Sequence, residues 1–125
     1  HCYSELYTRS FTFVKDVNLM IIKFEKEYLE QLYTEGKAKG KKYRFQPTVI
    51  KQYKNTIDKL KAAQRIEDLF LLKSLNYEKL TGNKKGLESV RVNKQYRIEF
   101  RSKQEGEEPS IVTICSIIEL SKHYD

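Results

Sequence analysis

Few residues in this chain can build a metal centre or a disulfide framework. Its 125 residues include two cysteines and two histidines. Cys2 lies at the N-terminus and Cys115 sits inside the apolar run Ile111 to Ile118, so Cys115 reads as a small buried hydrophobe rather than half of a cross-link. His1 and His123 are far apart in sequence, and Cys-x-x-Cys, His-x-x-x-His, P-loop and Gly-x-Gly-x-x-Gly strings are all missing. Chemistry without metal or cofactor is therefore expected. No internal repeat is present, and no apolar run is long enough to span a bilayer, which predicts a soluble chain with no membrane partner, in a cytoplasmic setting. Acidic charge is short as well: 17 Asp and Glu face 24 Lys and Arg, a net charge of +7 that favours a polyanion or an acidic protein as partner. Nine Tyr and six Phe are too much aromatic surface for a disordered tail, and the length suits one domain.

The single methionine, Met20, directly precedes an apolar strand-like run, whereas residues 1–19 lack the features of a secretory signal. Residues 1–19 are read as an upstream extension or added arm, packed through Phe11, Phe13 and Val14 if at all, and residues 20–125 as the folded domain. Ile21 to Phe24 reads as a strand, and Glu27 to Tyr33 switches to helical spacing before Gly36. Gly36 to Arg44 carries five positive charges and reads as a mobile loop. Pro47 suits the first turn of a helix whose apolar stripe is Ile50, Tyr53, Ile57 and Leu60. Ile66, Leu69, Phe70, Leu72 and Leu75 suggest a second, short helix ending near Asn76. Together they predict a helical hairpin covering one face of a sheet. Glu105 to Pro109 reads as a polar acidic loop, Ile111 to Ile118 as the last strand, and Glu119 to Asp125 as a polar tail.

Between helix and acidic loop lies the most informative stretch, Leu80 to Arg101. A basic, glycine-bounded turn leads into two alternating strands. Alternation puts Val90, Val92, Tyr96, Ile98 and Phe100 on one side and Ser89, Arg91, Arg97, Glu99 and Arg101 on the other, provided the two apolar rows coincide. A two-residue Asn93-Lys94 connection would mix the faces. A three-residue Asn93-Lys94-Gln95 connection pairs Val92 with Tyr96 and Arg91 with Arg97. Like charges directly opposite each other repel, so two arginines on one open face want an anion such as phosphate between them.

RNA can be cut without a metal because its own 2′-hydroxyl can attack the adjacent phosphate. The protein must take that proton, offset the charge gathering on the phosphate, and protonate the leaving 5′ oxygen. Arg91 and Arg97 fit the charge-offsetting role. Lys84 and Lys85 can hold flanking backbone or move a proton, His123 titrates near neutrality, and Tyr124 offers a phenol for proton transfer or stacking. Each has a plainer reading: lysines between glycines make a soluble turn, Arg97 pairs with Glu99 or Glu119, Tyr96 belongs to the core, and His123-Tyr124 is a polar tail. Lys94, Arg101, Lys41 and Lys42 complete the candidate RNA contacts.

The stretch Leu80-Thr81-Gly82, Lys85-Gly86, Ser89-Val90-Arg91-Val92-Asn93 and Gln95-Tyr96-Arg97-Ile98 resembles the RelE/ParE superfamily of type II toxin-antitoxin toxins, most closely its HigB branch. The resemblance implies an α+β domain in which an N-terminal strand and helical hairpin pack on one face of a mostly antiparallel sheet of about four strands. It implies a toxin that cleaves mRNA within translating ribosomes and is silenced by a cognate antitoxin protein. It places the loop basic residue on Lys84 or Lys85, the sheet arginines on Arg91 and Arg97, and the C-terminal catalytic group on His123 and Tyr124. A ParE-like inhibitor of DNA gyrase, without nuclease activity, is the alternative that the shared fold leaves open.

Overall fold

Alternation of apolar and polar residues builds a five-stranded sheet with the spatial order β1-β5-β4-β3-β2. The computed structural model describes residues 18–107 and 110–122. Phe11, Phe13 and Val14 of the expected arm, and His123 and Tyr124, lie outside them. Strand β1 (Leu19–Phe24) turns Met20, Ile22 and Phe24 towards the core and Leu19, Ile21 and Lys23 outward. It runs parallel to β5 (Ser110–Lys122), with Met20 opposite Thr113 and Phe24 opposite Ile117. Every other pairing, from β2 (Glu78–Lys79) through β3 (Glu88–Arg91) to β4 (Tyr96–Glu107) and β5, is antiparallel. A parallel neighbour demands a long connection, and the helices supply it.

Helix α1 (Glu27–Thr34) buries Tyr28, Leu29 and Leu32. Helix α2 (Pro47–Ala62) opens on a proline, whose missing N–H costs nothing in a first turn, and buries Tyr53, Ile57 and Leu60 completely, with Val49 joining in place of the half-buried Ile50. The Tyr53 hydroxyl donates to the Leu29 carbonyl at 2.7 Å, tying the helices together inside the core. The Leu120 N–H donates to the Tyr28 hydroxyl at 3.1 Å, tying the helix layer to β5. Burial pushes the Tyr28 phenol up to about 12, with the Leu120 bond working against it, so this hydroxyl stays protonated. Against these helices the sheet packs Val90, Ile98, Phe100, Cys115, Ile117 and Leu120. Cys115 is a buried free thiol, raised to about 12 by burial with the Glu88 charge adding to it, in keeping with an inert core residue.

Local details depart from the sequence reading in several places. The second helix, α3, spans only Ile66–Phe70, followed by a separate 3-10 turn at Lys73–Leu75 and a left-handed Asn76. Leu75 lies nine residues past Ile66, about half a turn round a helix, so no single helical face can bury both. The chain breaks instead, leaving Phe70 and Leu71 52% and 79% exposed. The acidic stretch is strand rather than loop: Glu105 pairs with Val112, Gly106 with Ile111 and Glu107 with Ser110. Backbone pairing runs on past the core because it does not depend on apolar side chains. For the same reason Glu119 to Lys122 continue β5 rather than forming a tail, and the wholly polar β2 adds a fifth strand that carries no apolar alternation. The basic segment after Gly36 is pinned by Tyr43, whose ring stacks on Tyr28 at 4.0 Å and 5° within a 3-10 turn at Lys41–Tyr43.

Two backbone irregularities shape the β4–β5 hairpin. The register shifts between Glu99 and Phe100: Glu99 faces Glu119 but Phe100 faces Ile117, so Ile118 is an extra residue. The bulge lets Leu120 and Ile117, an odd number of positions apart, both point into the core. Gly106 has φ +88, and a Cβ there would meet the Ser110 carbonyl oxygen at 2.7 Å. Gly106→Ala is therefore expected to destabilise the fold by more than about 1 kcal/mol, read as a lower urea midpoint at unchanged slope. A midpoint equal to that of the parent would show that the hairpin end tolerates a side chain.

Candidate nucleic-acid interface

The site starts from a hairpin whose register the loop length sets. Arg91 and Arg97 are directly opposed, and the Val92 N–H donates to the Tyr96 carbonyl at 2.9 Å, the pairing that a three-residue connection requires. Asn93 Oδ1 accepts the N–H groups of Gln95 and Tyr96 at 2.7 and 2.8 Å, closing the turn with its own side chain. Its Nδ2 donates to Gln52 Oε1 at 2.8 Å, which braces the hairpin tip against α2. Because Val90, Ile98 and Phe100 are fully buried against the helices, alternation turns Arg91, Arg97, Glu99 and Arg101 to the uncovered side.

Arg91 is exposed, and its Nε donates to the Asn93 carbonyl at 3.2 Å; it makes no ion pair among the described residues. Arg97 is more enclosed. Its Nη2 lies 3.3 Å from Glu99 Oε2, while its Nε is buried without a hydrogen-bond partner among the described residues. Of the two carboxylates that could pair with Arg97, the structure selects Glu99; Glu119 is taken by Lys26. Glu99 Oε2 also accepts Lys84 Nζ at 2.6 Å and Ser121 Oγ at 2.9 Å. Burial by itself would raise the Glu99 carboxyl, but the Lys84 and Ser121 hydrogen bonds and the Lys84 and Arg97 charges outweigh it and hold the pKa below the usual carboxylate range. Glu99 is thus an anion at neutral pH.

A cleft of about 350 Å³ opens here, lined by Arg91, Asn93, Lys94, Tyr96 and Arg97, with Asn76, Glu78 and Ser89 completing the wall. Its lining holds three cations, Arg91, Lys94 and Arg97, against one carboxylate, Glu78. Tyr96 does two jobs, meeting Phe45 edge-on at 5.6 Å on the core side while presenting surface to the cleft. Lys122, just before His123 in sequence, pairs with Tyr96. The arrangement offers guanidinium donors mounted on strands at one cleft, which suits a phosphodiester.

The remaining candidates fall elsewhere. Lys84 sits in a 3-10 turn, Gly82–Lys84, between two glycines with positive φ, and reaches the sheet only through Glu99. Its neighbour Lys85 lines a separate cleft of about 900 Å³ with Phe70, Tyr77 and Glu88. Lys41 and Lys42 belong to the turn stacked on α1, with Lys42 Nζ 5.1 Å from the Tyr43 ring centre. Arg101 is exposed on β4, opposite Ser116 and outside the cleft. Sequence reasoning named Glu99 as a partner for Arg97 but not as an acceptor shared with Lys84 and Ser121.

Residues 22–114 match the HigB-like toxin family, described as the RelE-like toxin of type II toxin-antitoxin system HigB. The chain belongs to this family. Toxin HigB-1 of Vibrio cholerae serotype O1 is 37% identical to the toxin over 83 residues, 66% of this chain and 83% of its own. Among solved structures, the YoeB/ParE toxin from Agrobacterium tumefaciens covers 84% of this chain and 100% of its own at 15% identity and a TM-score of 0.49. A YoeB-YefM complex from Staphylococcus aureus covers 84% and 98% at 19% identity and a TM-score of 0.45. The resemblance read from Leu80 to Arg101 lies within the matched residues, and the HigB branch is the one that matches. Within the described residues of the toxin, no helix is long and apolar enough to cross a membrane.

Proposed function

We propose that this toxin is a ribosome-dependent mRNA endoribonuclease that acts without a metal ion and inhibits translation. The observation that carries the reading is the direct opposition of Arg91 and Arg97 on the uncovered sheet face, at one cleft. In that cleft the scissile phosphate lies between the guanidinium groups, whose N–H forks offer charge-assisted hydrogen bonds to its oxygens. The substrate's 2′-oxygen attacks phosphorus, the P–O5′ bond breaks, and a 2′,3′-cyclic phosphate and a free 5′-hydroxyl result. The proton lost from the 2′-hydroxyl is replaced by one delivered to the 5′ oxygen, a relay assigned to His123 and Tyr124, which come directly after Lys122 in sequence. Lys84, Lys94 and Arg101 grip the flanking backbone, with Lys41, Lys42 and Lys85 as outer contacts.

A cognate antitoxin is the partner that membership in a type II toxin-antitoxin family calls for. Ribosome and mRNA as targets place the toxin in the cytoplasm. The match to a HigB family rather than a ParE one favours cleavage over gyrase inhibition.

Brief induction followed by mapping of mRNA 5′ ends tests the assignment. New, codon-phased ends are expected with the toxin and none with a His123→Ala/Tyr124→Phe variant. Intact mRNA in filamenting cells with damaged DNA would point to gyrase instead.

A further inference from the structure

A carboxylate in the middle of an RNA-facing surface needs a reason, because it repels phosphate and is costly to bury. The Glu99 side chain is 4% exposed. Its Oε2 collects partners from three segments: Lys84 from the glycine-flanked turn at 2.6 Å, Ser121 from β5 at 2.9 Å, and Arg97 from its own strand at 3.3 Å. Lys84 has no other side-chain bond among the described residues, and the turn that carries it rests on two left-handed glycines. A long side chain on such a turn samples many rotamers unless something holds it.

We propose that Glu99 is a positioning residue of the RNA site, drawing the Lys84 ammonium and the Arg97 guanidinium onto one point before RNA arrives. The inference rests on the endoribonuclease reading above and adds to it a residue that touches no substrate. With both cations ordered in advance, less freedom is lost when the phosphate binds, and their charge lies where it is needed as negative charge builds up. Through Glu99, Lys84 is tied to Arg97, which lines the cleft that Lys84 itself does not. Glu119, opposite Glu99 on β5, does not compete, because Lys26 occupies it.

Two readouts keep this idea separable from cleavage itself. In intact toxin carrying ¹⁵N at the lysine amines, the Lys84 ammonium, assigned by its loss in Lys84→Met, is expected to give a resolved, slowly exchanging signal that vanishes in Glu99→Ala. A Lys84 signal indifferent to Glu99→Ala overturns the proposal whether or not the toxin cuts RNA. On mRNA-programmed ribosomes, Glu99→Ala is expected to slow single-turnover cleavage about tenfold. The half-saturating ribosome concentration should meanwhile stay level or fall, since a negative charge has been removed. Glu99→Gln, which keeps an accepting oxygen, should recover part of the rate, and Glu99→Ala should cost less once Lys84 is already Met than it does in the parent, the remainder reporting its hold on Arg97. Wild-type rates in Glu99→Ala, or a defect confined to half-saturation, would overturn the proposal. If circular dichroism shows that Glu99→Ala is unfolded, Glu99→Gln carries both readouts, with partial losses expected. Failure of the parent toxin to cut mRNA sinks the endoribonuclease reading alone, and the ammonium signal still decides the role of Glu99.

Discussion

Arg97→Ala is expected to slow mRNA cleavage on programmed ribosomes by about 10²- to 10³-fold, the usual effect of removing one preorganised donor from a developing oxyanion. Arg97 is the better mounted of the two arginines. It sits mid-sheet between Arg91 and Ser121, half-buried, and one carboxylate holds its Nη2. The substitution should leave the fold nearly intact, because Glu99 keeps Lys84 and Ser121 as partners. Arg97→Lys should restore only part of the rate, since a point charge replaces a planar fork. The exposed Arg91 should matter less to rate and more to salt dependence. Single-turnover cleavage alongside thermal melts checks all three variants. Cleavage by Arg97→Ala within threefold of the parent, with an unchanged melt, would remove Arg97 from the mechanism.

Phe100→Ala is expected to cost about 3–5 kcal/mol, a large part of the roughly 5–15 kcal/mol that holds a domain together. Phe100 is fully buried at the point where the β4–β5 register shifts, and its ring centre lies 6.3 Å from that of Tyr77. Little can collapse into the space it would leave, because a bulge on one side and Glu88 on the other hold the strands in place. The Glu88 carboxylate accepts the Ser102 N–H at 3.0 Å, the Ser102 hydroxyl at 2.6 Å, and the Tyr77 hydroxyl. Urea unfolding measures the loss. A shift below about 1 kcal/mol would mean that the core repacks easily, against its observed closeness.

Legibility followed the physics of each segment. The β3–β4 hairpin could be read down to its register, since alternation and loop length together allow one pairing that keeps Val90, Ile98 and Phe100 on one face. The α2 stripe was equally plain at Tyr53, Ile57 and Leu60. What escaped was backbone pairing without an apolar pattern: β2, the outer arms of β4 and β5, and the Ile118 bulge. The break after Phe70 escaped because composition counts apolar residues without asking which way each points. Within the candidate site, the paired arginines followed from register, whereas the three-way sharing of Glu99 Oε2 depends on how a glycine-flanked turn folds over the sheet, and that is a tertiary fact.

The sheet order has a temporal consequence. Residues 110–122 fill the gap between the first strand and the two that carry the arginines. A nascent chain that has left the ribosome only as far as β4 has a lone β1, a separate three-stranded sheet and an open core. The weapon therefore cannot be assembled piecemeal while it is being made: closure waits on a late segment threading between two earlier ones, a long-range event that is intrinsically slow.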